Sequence, residues 1–132
     1  MTATDSSQGA HADMQRCIEH CTECHRSCTE TMVHCLERGG EHAESQHIRT
    51  LLDCADICAT SARFMMRHAP QHGELCAICA DVCDACADEC ERFTDDPTMQ
   101  ACAEVCRRCA ESCRDMSSGL AGFAQSSESV SA

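Results

Sequence analysis

The sequence contains no tryptophan, tyrosine or lysine, and it is poor in large aliphatic side chains. Leucine, isoleucine, valine and phenylalanine account for 16 of the 132 residues, and the formal net charge is −12. Such a composition normally favours disorder, because little apolar surface is available for burial. No segment approaches the roughly 18 apolar residues of a membrane helix, so no membrane association is predicted. The acidic excess argues against nucleic acid as a partner.

The polar residues 1–12 lack the apolar stretch and the paired arginines of an export signal. We therefore expect a cytoplasmic protein whose thiols stay reduced. Cysteine-rich secreted chains usually form disulfide scaffolds, whereas dense cysteine in a reducing compartment more often binds metal.

Cysteine and alanine take the place of the missing aliphatic residues. The chain has 16 cysteines and 18 alanines. A free cysteine behaves as a small hydrophobic residue that carries a reactive thiol. The sequence therefore predicts a core built largely from sulfur.

Glycine, aspartate and proline divide the chain into four segments. The breaks fall at Gly39-Gly40, at Ala69-Pro70 and at Asp95-Asp96-Pro97. Asp96 is suited to the N-cap of a helix and Pro97 to its first position. The predicted helical segments are 13–38, 42–68, 71–93 and 97–117. They form one domain, 13–117, between a flexible N-terminus, 1–12, and a flexible tail, 118–132.

In every segment the cysteines are spaced as one face of a helix. Neighbouring cysteines are three or four residues apart, with one interval of seven, so each set falls within an arc of roughly 60–80°. Four such helices with short connections predict an all-α, antiparallel up-down four-helix bundle with a cysteine-lined core. The candidate metal ligands are Cys17, Cys21, Cys24, Cys28, Cys35, Cys54, Cys58, Cys76, Cys79, Cys83, Cys86, Cys90, Cys102, Cys106, Cys109 and Cys113.

Packing alone does not explain so many inward thiols, since aliphatic residues pack better and carry no oxidation hazard. Neighbouring cysteines on one helix face suit chelation better than disulfide bridges. Structural zinc sites typically pair short cysteine motifs on loops, whereas the Cys-x-x-Cys pairs here lie inside predicted helices. The cysteine run typical of bacterial iron–sulfur proteins is absent from the sequence.

Charge favours copper(I) as the metal. Each copper(I) ion replaces one thiol proton, so equal numbers of thiolates and copper(I) ions are neutral. Zinc(II) held by four thiolates leaves two negative charges per site, and several such sites in a narrow core are costly. Soft thiolates also favour copper(I). The residues predict storage of multiple copper(I) ions, with a zinc or cadmium buffer as the alternative.

Three other classes fit the pattern less well. A thiol oxidoreductase would use one distinct exposed pair, such as Cys106 and Cys109 with the two arginines between them. A copper chaperone would need one or two exposed thiols, and a regulator would need a basic surface. We therefore do not expect an enzyme.

Three motifs carry a resemblance to a known family: Leu52-Asp-Cys-Ala-Asp-Ile-Cys58, Leu75-Cys-Ala-Ile-Cys-Ala-Asp-Val-Cys-Asp-Ala-Cys-Ala-Asp-Glu-Cys90 and Cys102-Ala-Glu-Val-Cys-Arg-Arg-Cys-Ala-Glu-Ser-Cys113. Over about residues 14–116 the chain resembles the cytosolic copper storage proteins of bacteria. The resemblance implies a bundle that is folded without metal, many copper(I) ions held largely by two thiolates each, and a homotetramer. A copper chaperone or a chelator would act as the copper donor.

The start of the last helix departs from the pattern of many relatives, which have a His-x-His-Cys-like stretch there. The corresponding residues are Pro97-Thr98-Met99-Gln100, with Met99 in the place of a cysteine. An up-down bundle gathers Cys35, His47, Cys90 and Met99 at one end of its core, which we call the first mouth. Met99 and His47 are candidate ligands there. The opposite mouth gathers Met14, Cys17, Met65, Cys76, Cys113 and Met116, with His72 near it. Three histidines are expected at exposed ends: His11, His42 and His68.

The amphipathic pattern generates a first prediction. Since neutral thiols and alanine can be buried before any metal arrives, the reduced apo-protein should be strongly helical, unlike a zinc finger. Far-ultraviolet circular dichroism of metal-free protein in reductant measures this. A random-coil spectrum that becomes helical only when copper is added would contradict it.

Overall fold

A computed structural model describes the backbone of residues 2–131 and the side chains of residues 9–117. The four helices are α1 (Thr2–Arg38), α2 (Ser45–Met66), α3 (His72–Glu91) and α4 (Pro97–Ser131). A short 3-10 helix, Gly40–Ala43, lies between α1 and α2. The described backbone contains no strand, so the predicted all-α class is confirmed.

The helices close into a ring around a common axis. α1 packs against α2 and α4, and α3 packs against the same two helices. Because the connections are short, consecutive helices run antiparallel, as the up-down prediction requires. Each helix therefore turns one face towards the axis.

The core is built from small side chains. Besides the cysteines, buried alanines recur every seven residues on three helices: Ala55 and Ala62 on α2, Ala80 and Ala87 on α3, and Ala103 and Ala110 on α4. Helix separation depends on the side chains at the contact and is about 8–10 Å. Small residues favour the short end of that range, which brings sulfur atoms from all four helices together.

The connection between α1 and α2 depends on backbone conformations that favour glycine. Gly39 and Gly40 adopt φ values of 73° and 58°, in the left-handed region. Glu44 then leaves the helical region with a ψ of 140°. α2 therefore begins at Ser45, later than the predicted residue 42.

α2 ends in a Schellman motif rather than at the predicted residue 68. The N–H of Ala69 donates to the carbonyl of Phe64 at 2.9 Å, and that of His68 donates to the carbonyl of Met65 at 3.0 Å. His68 has a φ of 55°, a position usually occupied by glycine. The helix itself stops at Met66.

α4 begins at a side-chain cap, as its sequence predicts. The Oδ1 atom of Asp96 accepts hydrogen bonds from the backbone N–H groups of Thr98, at 3.0 Å, and Met99, at 3.4 Å. Phe93 is buried just before this cap. The α3–α4 connection is thereby held against the mouth of the bundle.

The first and last helices extend beyond the predicted domain bounds of 13 and 117. α1 begins at Thr2 and α4 ends at Ser131. Side chains of residues 1–8 and 118–132 lie outside the described set. The predicted flexibility of 1–12 and 118–132 stays a prediction. Among the residues described, no helix has an apolar stretch that could cross a bilayer.

The cap on α4 generates a second prediction. Replacing Asp96 with alanine leaves two N–H groups without their side-chain acceptor, which typically costs about 0.5–2 kcal/mol. Asparagine caps helices as well as aspartate does, so Asp96→Asn should retain most of the stability. Urea unfolding of both variants measures the difference. Equal stability of the alanine and asparagine variants would contradict the capping role.

Candidate metal centre

All sixteen cysteines lie in the core, as the sequence predicts. Each is free of disulfide bonds, and none is more than 1% exposed. They come from the inner faces of all four helices. The bundle axis is therefore a continuous column of thiols.

Sulfur atoms contact one another along this column. The Sγ atom of Cys58, for example, lies 3.4 Å from that of Cys83, 3.6 Å from that of Cys79 and 3.8 Å from that of Cys109. Further Sγ–Sγ contacts form a series that runs from Cys17 through the centre of the bundle to Cys102. No thiol in this run is isolated from the next, so an ion bound at one position lies beside further ligands.

Four groups of thiols bring their sulfur atoms within 4.8 Å of one another. Cys24, Cys109 and Cys113 each belong to two of these groups, so the groups overlap. In order along the axis they are Cys17, Cys76 and Cys113; Cys21, Cys79, Cys109 and Cys113; Cys24, Cys58, Cys83 and Cys109; and Cys24, Cys28, Cys54 and Cys106.

The sulfur spacing suits metal ions after small rearrangements. The Sγ–Sγ contacts range from 3.4 Å for Cys58–Cys83 to 4.0 Å for Cys24–Cys28. With metal–sulfur bonds of about 2.3 Å, sulfur atoms stand about 4.0 Å apart around a trigonal ion and about 4.6 Å apart across a linear one. Sulfur–sulfur distances therefore have to lengthen by at most about 0.6 Å for a trigonal ion and by about 0.6–1.2 Å for a linear one.

Several core thiols resist deprotonation in the absence of metal. Hydrogen bonding with Cys102, together with burial, raises the pKa values of Cys28 and Cys106. Burial also raises the pKa of Cys35 to about 11, and the Asp96 carboxylate acts in the same direction. A metal ion must therefore displace protons from these thiols, and binding strengthens as the pH rises.

Three of the residues predicted at the first mouth are in direct contact. The Sγ atom of Cys35 lies 3.3 Å from Nε2 of His47 and 3.5 Å from Sδ of Met99. Both His47 and Met99 are fully buried. The Nδ1 atom of His47 lies 3.2 Å from Oε1 of Glu89, which fixes the ring with Nε2 towards the thiol. The fourth residue, Cys90, lies one layer further inward beside Cys102 and Cys86.

The opposite mouth is richer in sulfur. Cys17, Cys76 and Cys113 form one thiol group, and Sδ of Met65 lies 3.8 Å from Sγ of Cys76. Two further methionines, Met14 and Met116, are partly buried against the core. The Nδ1 atom of His72 lies 2.9 Å from the carbonyl oxygen of Ala69.

A histidine–aspartate group near the first mouth is not predicted by the sequence pattern. The Nε2 atoms of His34 and His42 lie 2.8 Å and 2.9 Å from the same oxygen, Oδ2 of Asp96. The expectation that His42 is exposed is wrong, because its side chain is only 12% exposed. Although burial opposes it, hydrogen bonding to the two histidines holds the pKa of Asp96 well below its usual range. No helical periodicity links residues 34, 42 and 96, so only the folded bundle reveals the group.

Fold and site together define the class of protein: a four-helix bundle whose core is a column of reduced thiols. The chain belongs to the copper storage protein family, whose model matches residues 10–118. This result agrees with the resemblance found in the sequence motifs.

Individual relatives support the family membership. YhjQ of Bacillus subtilis strain 168, described as an uncharacterized cysteine-rich protein, is 42% identical over 68 residues, which are 52% of this chain and 63% of that relative. The chain therefore spans less than two thirds of this relative's length. The Cu(I)-bound copper storage protein BsCsp3 of Bacillus subtilis is 42% identical, with a TM-score of 0.75 over 80% of this chain and 98% of that one.

A third relative comes from Streptomyces lividans. Its copper storage protein Ccsp, in a structure loaded with 10 copper equivalents, is 34% identical, with a TM-score of 0.72 over 82% of this chain and 86% of that one. A further structure from the same organism is described as a cytosolic copper storage protein.

Proposed function

We propose that this protein stores copper(I) by binding many ions to the thiolates of its core cysteines. The observation that carries the proposal is the uninterrupted series of Sγ contacts along the bundle axis, made by cysteines that are all free and buried. Two similar proteins of the family are described as copper-loaded. A chaperone or a sensor needs one ion, whereas overlapping ligand groups are suited to many.

Charge balance explains why the core can hold many ions. A buried charge is costly unless it is paired. Since each copper(I) ion replaces one proton, a column of sixteen thiols accepts about sixteen ions without a change in net charge. Cys24 and Cys109 each belong to two thiol groups, so neighbouring ions share thiolates. Such sharing favours continuous filling of the column rather than separate sites.

We infer that copper(I) enters the bundle at the first mouth. The thiol of Cys35 lies 3.3 Å from the imidazole nitrogen of His47 and 3.5 Å from the thioether sulfur of Met99. An imidazole or a thioether binds copper(I) without losing a thiol proton. An ion held there is bound more weakly than between two thiolates, so it can pass inward to Cys102 and Cys90.

The proposal also includes the cellular compartment, the copper donor and the oligomeric state. Reduced thiols require a reducing compartment such as the cytosol, and a relative is described as cytosolic. The role is storage rather than catalysis, with a copper chaperone or a small chelate as the donor. We further propose a homotetramer, as the family resemblance implies, and the exposed Val33, Leu36 and Ile78 provide apolar surface for an interface. Light scattering at micromolar concentration tests this, and a monomer would overturn it.

Copper capacity provides the third prediction. Titration of the reduced protein with copper(I) against a competing chelator should give more than about ten ions per chain, because each ion replaces one thiol proton and the chain has sixteen cysteines. Cys83→Ser should remove about one or two of these ions, since Cys83 belongs to a single thiol group. Ser61→Ala is the matched control, because Ser61 is a buried hydroxyl without a hydrogen-bond partner. Its capacity should equal that of the wild type.

Other outcomes of this titration identify the competing classes. One or two ions indicate a chaperone or a sensor, and none indicates a thiol oxidoreductase. Preferential retention of zinc or cadmium over copper(I) indicates a divalent buffer. Loss of all copper in Cys83→Ser would indicate one discrete cluster rather than distributed storage.

Uptake kinetics provide the fourth prediction. The double variant His47→Ala/Met99→Ala removes two weak ligands of the first mouth but retains every thiol, so loading should slow several-fold with capacity within about two ions of wild type. Stopped-flow mixing with a copper(I) chelate measures the rate. The control is Met14→Ala/Met116→Ala at the opposite mouth, where loading should be unchanged. Slowing in the control alone would place uptake at that end.

A further inference from the structure

Three side chains converge on one point outside the thiol column. His34 lies on α1, His42 lies in the 3-10 helix, and Asp96 precedes α4. Their potential ligand atoms all lie within 4.8 Å of one another. Each residue comes from a different element, so the group exists only in the folded bundle.

The carboxylate is held in place by the helix that it caps. The Oδ1 atom of Asp96 accepts the two hydrogen bonds from the start of α4, at 3.0 Å and 3.4 Å. Its Oδ2 atom is thereby directed at the two imidazoles, at 2.8 Å and 2.9 Å. In metal sites, carboxylate ligands are oriented in the same way, by hydrogen bonds from residues that do not themselves bind the ion.

The donor set differs in kind from the thiol column. Two imidazole nitrogens and one carboxylate oxygen suit divalent ions of intermediate softness, such as zinc(II) and copper(II), whereas thiolates select copper(I). Three protein ligands with one open position are a common arrangement for zinc. Ligand atoms around a tetrahedral ion with bonds of about 2.1 Å stand about 3.4 Å apart. Each of the two observed Nε2–Oδ2 distances therefore has to lengthen by only about half an ångström.

We propose that His34, His42 and Asp96 form a binding site for one divalent transition-metal ion per chain, separate from the copper(I) column. Each neutral imidazole moves its proton to Nδ1 and presents the lone pair of Nε2 to the ion. The ion replaces the two hydrogens now shared with Oδ2, and water fills the remaining position.

The site is accessible and is insulated from the thiols. The side chain of His34 is 29% exposed, and His42 and Asp96 line a pocket of about 250 Å³. The ring of Phe93 stands between the two kinds of ligand, with its centroid 4.1 Å from that of His42 and 4.9 Å from that of His47. A divalent ion would therefore join α1, the 3-10 helix and the start of α4 above the mouth without reaching Cys35.

The test uses protein whose thiols are already filled with copper(I), so that zinc(II) cannot bind to them. Isothermal titration with zinc(II) should show one ion per chain. His34→Ala, His42→Ala and Asp96→Asn should each weaken this binding at least about tenfold, because even outer contacts are worth about 10–100-fold in metal affinity. Asp96→Asn retains the helix cap, so its effect is not that of a misfolded mouth.

Two controls separate the site from general histidine binding and from copper storage. His20→Ala removes another partly buried histidine of α1, whose Nδ1 atom lies 3.0 Å from Oγ of Ser112, and should leave zinc binding unchanged. Cys83→Ser should lower copper(I) capacity but keep the zinc site. The proposal would be overturned if the copper-loaded protein did not bind zinc(II), or if His34→Ala and His42→Ala bound zinc(II) as tightly as the wild type. Either result would show that the group serves only as a hydrogen-bonded cap. Copper storage would stand in either case.

Discussion

The structure depends on the contact of small, neutral thiols along the bundle axis. Sulfur atoms 3.4–4.0 Å apart fill the space that larger aliphatic side chains occupy in an ordinary bundle. Alanines at seven-residue intervals let the helices approach closely enough for these contacts. Because thiols are apolar when protonated, the same atoms stabilise the empty protein and provide its ligands. A core of leucine would pack better but would provide no metal ligand.

This double role of cysteine limits what the core can bind. Ions must displace protons from buried thiols, and burial raises the pKa of some of these thiols, as at Cys35. A monovalent ion exchanges for one proton, whereas a divalent ion leaves charge in a site with no water to screen it. The copper(I) preference that we propose therefore rests on burial as well as on the softness of sulfur.

The two ends of the bundle differ in chemistry. One end has a thiol group backed by Met65, whereas the other combines Cys35 with an imidazole and a thioether. Only the second end is bordered by the histidine–aspartate group, with the ring of Phe93 between the soft and the harder donors. The chain thus places ligands of increasing softness from the surface towards the axis.

The sequence alone determined the fold class and the burial of the sixteen cysteines, because helical periodicity places the cysteines of each helix on one face and each face must be buried. It also located Asp96 as a cap and brought His47 and Met99 to one mouth, since up-down topology fixes which helix ends meet. The start of α2 shifted by three residues and its end by two, because Glu44 and His68 adopt conformations that no local pattern specifies. Only the tertiary structure decided which sulfurs touch and that His34, His42 and Asp96 meet. Such contacts depend on helix rotation and on the path of the turns, which spacing along one helix does not encode.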